Sequence, residues 1–349
     1  MRRHQILSVA LVVAVAALSF ALPSLQAQPR VVLDGKSHHL AQGFHNLDPG
    51  YSYSMVSRAG RLVRRSFEGW PERGTPPVRV ANDGVELRAN GQTPTVTWIG
   101  HATVLVQMNG VNILTDPIWS QRASPLAFAG PRRLVEPGLR FEDLPRIHAV
   151  VISHDHYDHL DLATVHRLAR EHRPTFFVPL GLKAWLGHQG VTDVVEMDWW
   201  DAKEFKGLTF VCTPSQHSSG RTFSDQHLRL WSSWVVTSPN RRFFFAGDTG
   251  YAASMKEIGR RYGPFDLAAI PIGGYSAYEG RHPNHVNPEE ALQLFEDLRA
   301  RVMVPVHWGT FDMNREPFRE PPDRLLKEAV RRGIEEQIAM LTQGQSIHW

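Results

Sequence analysis

Cysteine is nearly missing from this 349-residue chain: Cys212 is the single one, so no intrachain disulfide can form in any compartment. It lies in the apolar run Leu208–Thr213, two residues before Pro214, where it reads as a buried small side chain rather than a catalytic thiol. Charge of one sign is also missing. The 38 Lys and Arg against 35 Asp and Glu leave a formal net charge of +3, which falls to +1 if residues 1–27 are removed, because Arg2 and Arg3 go and no acid does. Such a chain has no whole-molecule field for nucleic acid. The pairs Arg132-Arg133, Arg241-Arg242, Arg260-Arg261 and Arg331-Arg332 read as solvated faces instead of a binding stripe. No basic amphipathic helix announces a membrane-surface binder.

Long apolar runs are limited to one, Ile6 to Leu22. It follows Met1-Arg2-Arg3-His4 and leads through Pro23 to Leu25-Gln26-Ala27. A positive start, an apolar centre and a small-residue exit predict a secretory signal over 1–27, with an uncleaved N-terminal anchor as the alternative. No cysteine follows the run, which argues against a lipid-modified terminus. The expectation is export, to the bacterial periplasm or the periplasmic face of the inner membrane. Residues 28–92 mix Gly, Pro, Asn and Arg with Phe44, Tyr51, Tyr53, Phe67 and Trp70, and read as an extension wrapping a core. Residues 93–349 then form the main domain.

Strand signals become dense from Thr95. The runs Thr95–Ile99, Thr103–Gln107 and Val111–Thr115 are β-rich, with the hairpin dipeptide Asn109-Gly110 between the last two, and alternating strands and helices follow. A mixed sheet of the α/β class is predicted. The apolar run Ile147–Ile152 stops and delivers His154-Asp155-His156-Tyr157-Asp158-His159. So much nitrogen and carboxylate after a buried strand is costly to desolvate unless it binds metal. His154 and His156, two apart in an extended loop, suit a first ion. Asp158 and His159, read as the start of a helix running through Leu160 to Arg170, suit a second.

Other strand-like runs end in ligand types too. Leu208–Thr213 leads to His217, Arg242–Ala246 to Asp248 in Gly247-Asp248-Thr249-Gly250, and Arg301–Val306 to His307. Asn287-Pro288-Glu289-Glu290 predicts a capped helix start, with His285 just upstream. Asp116 ends the third strand, before Pro117.

The order HxHxDH, His, Asp, His resembles the metallo-β-lactamase superfamily. The resemblance implies an αβ/βα four-layer sandwich holding two zinc ions, one on His154, His156 and His217 and the other on Asp158, His159 and His307. Asp248 bridges them, and Asp116 orients the metal loop from behind. Ions in such pairs lie roughly 3.5–4 Å apart, with a hydroxide between them as nucleophile.

Longer motifs narrow the resemblance. Thr97-Trp98-Ile99-Gly100-His101-Ala102-Thr103-Val104, Leu114-Thr115-Asp116-Pro117-Ile118, Phe177-Val178-Pro179-Leu180-Gly181-Leu182, Asp198-Trp199-Trp200, Thr213-Pro214-Ser215-Gln216-His217 and His307-Trp308-Gly309-Thr310-Phe311 resemble the N-acylphosphatidylethanolamine-hydrolysing phospholipase D family, with a looser echo at Phe44-His45-Asn46. That implies hydrolysis of the phosphodiester to N-acylethanolamine and phosphatidate at a membrane surface, and a homodimer. Asp248, His285 and Asp158 are the implied catalytic residues, His285 standing in His285-Val286-Asn287-Pro288-Glu289-Glu290-Ala291. Arg281-His282-Pro283-Asn284 and Ser218-Ser219-Gly220 are where substrate preference would differ. A lactonase or amidase with the same ligands is the alternative, and a non-enzymatic zinc-binding envelope protein the second.

Overall fold

The computed structural model describes residues 36–48, 74–275, 282–313 and 316–349. The leader and the aromatics Tyr51, Tyr53, Phe67 and Trp70 lie outside these residues. A short helix α1 (Val85–Ala89) precedes an antiparallel meander of β1 (Thr95–Gly100), β2 (Thr103–Met108) and β3 (Val111–Thr115). Asn109 and Gly110 both take positive φ, 50° and 71°, the turn that matches the twist of a two-residue hairpin. Parallel strands then add to β3: β4 (Ala149–Val151), β5 (Thr175–Pro179) and β6 (Val194–Met197), with α2 (Leu162–Glu171) and α3 (Leu182–His188) as crossovers.

The second sheet contains β7 (Ala202–Phe205), β8 (Leu208–Thr213), β9 (Ser233–Thr237), β10 (Arg242–Phe245), β11 (Leu267–Pro271) and β12 (Val302–Val306). Its order is β12-β11-β10-β9-β8-β7. The helices α4 (Ser254–Tyr262), α5 (Pro288–Asp297) and α6 (Glu320–Arg332) accompany it, and β13 (Ser346–His348) returns to pair with β1 in the first sheet. The predicted start of α5 is present as a capping box: Asn287 Oδ1 accepts from the Glu290 N–H at 2.8 Å, and Glu290 Oε2 accepts from the Asn287 N–H at 3.2 Å.

Strand periodicity divides the core. On β4, Ala149 and Val151 face the second sheet while Val150 faces α2. On β5, Phe177 turns inward against Phe210 of β8 at 4.1 Å between ring centroids, and Phe176 and Val178 turn outward with Val165, Leu168, Leu182 and Leu186. The second sheet buries β10 and β11 residues against the first sheet on one face and Met255, Ile258, Leu292 and Phe295 of its helices on the other. The result is four layers, helices, sheet, sheet, helices, as predicted.

Direction of the strands places the site. β3 and β4 run parallel, as do β10, β11 and β12, while β9 runs against both β8 and β10. Consequently β8, β10 and β12 end on one edge. Gly247 joins this edge to the other sheet: its φ is 58°, and a Cβ there would meet Ser153 Cβ at 2.5 Å, so only glycine permits the approach.

Candidate metal centre

Each sheet hands residues to this edge. Past β4 come His154, His156, Asp158 and His159; past β8 comes His217, past β10 Asp248 and past β12 His307. Asp116 follows β3. His154 Nε2 lies 2.8 Å from His156 Nδ1, and His217 Nε2 lies 3.3 Å from the same atom. Across from this triad, His159 Nε2 is 3.2 Å from Asp158 Oδ2 and 3.1 Å from Asp248 Oδ2. His307 Nε2 is 3.4 Å from Asp158 Oδ2 and 3.2 Å from Asp248 Oδ1. Asp248 stands between the groups, with Oδ2 also 3.7 Å from His217 Nε2.

Partners behind these residues fix which nitrogen faces inward. His159 Nδ1 donates to Asp116 Oδ2 at 2.6 Å, which turns Nε2 toward the centre. His217 Nδ1 donates to the Asn284 carbonyl at 3.0 Å, and His154 Nδ1 pairs with Ser153 Oγ at 2.9 Å. Asp116 also accepts from the Ser153 N–H at 2.6 Å and the Ser153 hydroxyl at 2.5 Å, so one buried carboxylate anchors the loop on both sides of His154. Such outer partners set tautomer and ring orientation in metal sites.

The donor set fits divalent cations. His159 Nε2, His307 Nε2 and Asp248 Oδ1 are buried and make no hydrogen bond, although oxygen and nitrogen converge at 3.1–3.4 Å. This is the geometry of atoms arranged around common points rather than toward one another. Burial lowers the pKa of His154 and His156 and takes His217 down to about 3, so that triad offers neutral imidazoles. At His159 and His307 burial acts the same way, but Asp248 and Asp158 overcome it, holding His159 well above the usual range and His307 at about 9. Burial likewise opposes the charges of Asp158 and Asp248, and the imidazoles beside them nevertheless hold both well below the carboxylate range. Two buried carboxylates require positive charge next to them. Protons on two histidines supply it in the protein alone, and a cation would supply it in their place.

All seven ligand residues predicted from the sequence are thus brought together, with Asp116 directly behind His159. His285 is at the mouth, its side chain 18% exposed, with Nδ1 3.8 Å from Asp248 Oδ2. One prediction needs amendment. Asp158 and His159 do not begin a helix; they occupy a turn closed by the Leu160 N–H to the His156 carbonyl, and α2 starts at Leu162 after Asp161 in extended backbone. Arg281 lies outside the described residues, and of its neighbours His282 accepts from the N–H groups of Asn284 and His285 at 3.1 Å each.

The sequence reading also passed over His101. This buried residue, with φ of 52°, places Nε2 2.8 Å from Asp158 Oδ2, and its carbonyl accepts the His307 N–H at 2.9 Å. Its signals in the sequence are a histidine at the bend between two strands and a place inside the motif Thr97–Val104, neither of which points to Asp158.

Comparison with known proteins agrees with this architecture. Residues 111–308 match the family model described as beta-lactamase superfamily domain. The chain is 47% identical over 241 residues to an N-acyl-phosphatidylethanolamine-hydrolyzing phospholipase D of Caenorhabditis elegans, covering 66% of this chain and 68% of that protein. It is 40% identical over 317 residues to an uncharacterized protein of Mycobacterium tuberculosis, covering 88% of this chain and 84% of the other. Among solved structures, Igni18, a metallo hydrolase of the archaeon Ignicoccus hospitalis, superposes with a TM-score of 0.57 at 25% identity over 74% of this chain and 99% of its own. An isothiocyanate hydrolase from Delia radicum gut bacteria shares the fold, with a TM-score of 0.60 at 23% identity over 73% and 98% of the two chains. The protein is therefore a metal-dependent hydrolase, and the chain belongs to the N-acylphosphatidylethanolamine-hydrolysing phospholipase D family of the metallo-β-lactamase superfamily.

Proposed function

We propose that this chain is a two-zinc phosphodiesterase of phospholipase D type that converts N-acylphosphatidylethanolamine to N-acylethanolamine and phosphatidate. The observation that carries the reading is Asp248 between two donor groups, three neutral imidazoles on one side and Asp158, His159 and His307 on the other. His154, His156 and His217 would hold one ion, Asp158, His159 and His307 the second, and Asp248 would touch both. When bound, such a pair polarises a phosphoryl oxygen and makes water a nucleophile at neutral pH. Relatives named for this lipid chemistry support the substrate class.

The chain's own groups do the rest. Asp248 orients the attacking water opposite the leaving oxygen, and Asp158, held by His101, fixes the facing donors. His285 lies on the open side of Asp248, where its ring meets a phosphoryl oxygen or the leaving alkoxide. A membrane surface as the source of substrate, export to the periplasm and pairing of two copies complete the proposal.

Hydrolysis in oxygen-18 water tests it. Attack at phosphorus puts the label in phosphatidate and none in N-acylethanolamine. Label in a released fatty acid would instead mark a carbonyl hydrolase, the amidase or lactonase alternative.

A further inference from the structure

Segment 36–48 lies outside the two sheets, yet it reaches the metal centre through one side chain. Asn46 Nδ2 donates to the His217 carbonyl at 2.8 Å, and Asn46 Oδ1 accepts the His217 N–H at 3.0 Å. One amide thus holds both polar groups of the main chain at a single residue, as a neighbouring strand would. The same Oδ1 accepts from Trp231 Nε1 at 2.9 Å, so the amide cannot flip without losing all three bonds. His217 follows β8 and Pro214, in a loop whose own ladder has ended. Its ring is held by the Asn284 carbonyl and its backbone by Asn46.

The segment is itself fastened. Lys36 Nζ and His39 Nε2 reach Asp198 Oδ2 at 2.5 and 3.0 Å, and His38 Nε2 reaches Oδ1 at 2.8 Å, with the His38 ring stacked on Trp199 at 4.3 Å. Trp199 Nε1 in turn donates to the Trp231 carbonyl at 2.7 Å, which joins this clasp to the tryptophan that bonds Asn46. Phe44 is buried, and its N–H donates to the His227 carbonyl at 2.8 Å. Gly43, at φ of 82°, runs so close to His227 that a Cβ would meet the His227 carbonyl oxygen at 2.2 Å. A loose wrapping would show no such fit.

We infer that Asn46 is a positioning residue for the metal centre: by fixing the main chain of His217 it sets the affinity of the His154–His156–His217 group for its ion, and segment 36–48 is part of the site. The inference rests on the proposal that these three histidines hold metal. Removal of a partner that orients a ligand lowers metal affinity about 10–100-fold.

The test uses the full-length chain, stripped of metal and titrated with zinc in competition with a chromophoric chelator. His217→Ala identifies which of two equivalents belongs to this group. Asn46→Ala should weaken that equivalent by tenfold or more and leave the other unchanged. On a His217→Ala background, Asn46→Ala should change zinc binding no further. Asn46→Asp, which keeps the acceptor for the His217 and Trp231 N–H groups but loses the donor, should fall between parent and Asn46→Ala, and it carries the test if the alanine variant does not fold. Equal weakening of both equivalents, or an unchanged pair, would show a merely structural role and overturn the inference. A parent that binds fewer than two equivalents would instead remove the two-ion reading beneath it.

Discussion

Asp116 faces no substrate, but it collects three hydrogen bonds from Ser153 and His159 in a site with no solvent access. Its charge raises the basicity of the His159 nitrogen that faces the centre and locks the ring. Asp116→Asn keeps the volume and removes that charge, so zinc affinity should drop about 10–100-fold, measured by chelator competition. Unchanged affinity would mean that Asp116 only anchors the turn. The residues of the cluster were legible in the sequence because chelating side chains gathered directly after apolar strands. His101, Ser153 and Asn46 were not. His101 reaches Asp158 across 57 positions, and Asn46 reaches His217 across 171, by contacts that no local pattern encodes.

At the scale of elements, the strands bearing hairpin or apolar signals appear where they were predicted, and so does the cap of α5. Missing from the reading as strands were β5, β6, β9 and β11, together with β7, whose Ala202, Lys203 and Glu204 are exposed and carry no alternation, and β13, a three-residue edge strand. β13 depends on β1, at the other end of the domain, whereas β7 pairs with the next strand, β8, across the two-residue turn Lys206-Gly207, both at positive φ. The clasp of segment 36–48 onto Asp198 makes a separate prediction. Burial opposes the Asp198 charge, but His38 and Lys36 overcome it and hold its pKa well below the ordinary 3.8. The groups facing it are Lys36, His38, His39 and the Trp199 N–H, while Asp201 accepts the Asp198 N–H. A depressed carboxylate contributes stability that is complete above the unfolded value and is lost as pH falls through the folded one. Asp198→Asn should therefore cost about 1.5–3 kcal/mol at pH 7, the size of a hydrogen bond to a charged group, and the gap from the parent should begin to narrow as pH falls below 3.8. Thermal unfolding of both proteins from pH 7 to pH 3 measures it. A gap independent of pH would contradict the ionic account.

For the whole molecule, two sheets held face to face are what bring four strand ends to one point. Phe245 on β10, cross-strand from Trp234 whose indole N–H donates to the Ile152 carbonyl of the first sheet, lies fully buried in that core, so Phe245→Ala should cost about 3–5 kcal/mol in urea unfolding, and should reduce zinc retention as the edge bearing Asp248 loosens. Full zinc retention in a destabilised variant would show that the site holds itself together without the core. The α/β class, the mixed sheets and the layer order were readable because strand periodicity and family motifs agreed; the pairing of β13 with β1 was not, since it joins the two ends of the domain.

The central claim is phosphodiester cleavage by two ions that share Asp248. The direct measurement is mass spectrometry of the products when the zinc-loaded full-length protein meets N-acylphosphatidylethanolamine in detergent micelles, beside Asp248→Asn. The account predicts phosphatidate and N-acylethanolamine in equal amounts from the parent and neither from the variant. Full zinc content with neither product, or equal turnover by Asp248→Asn, would contradict it.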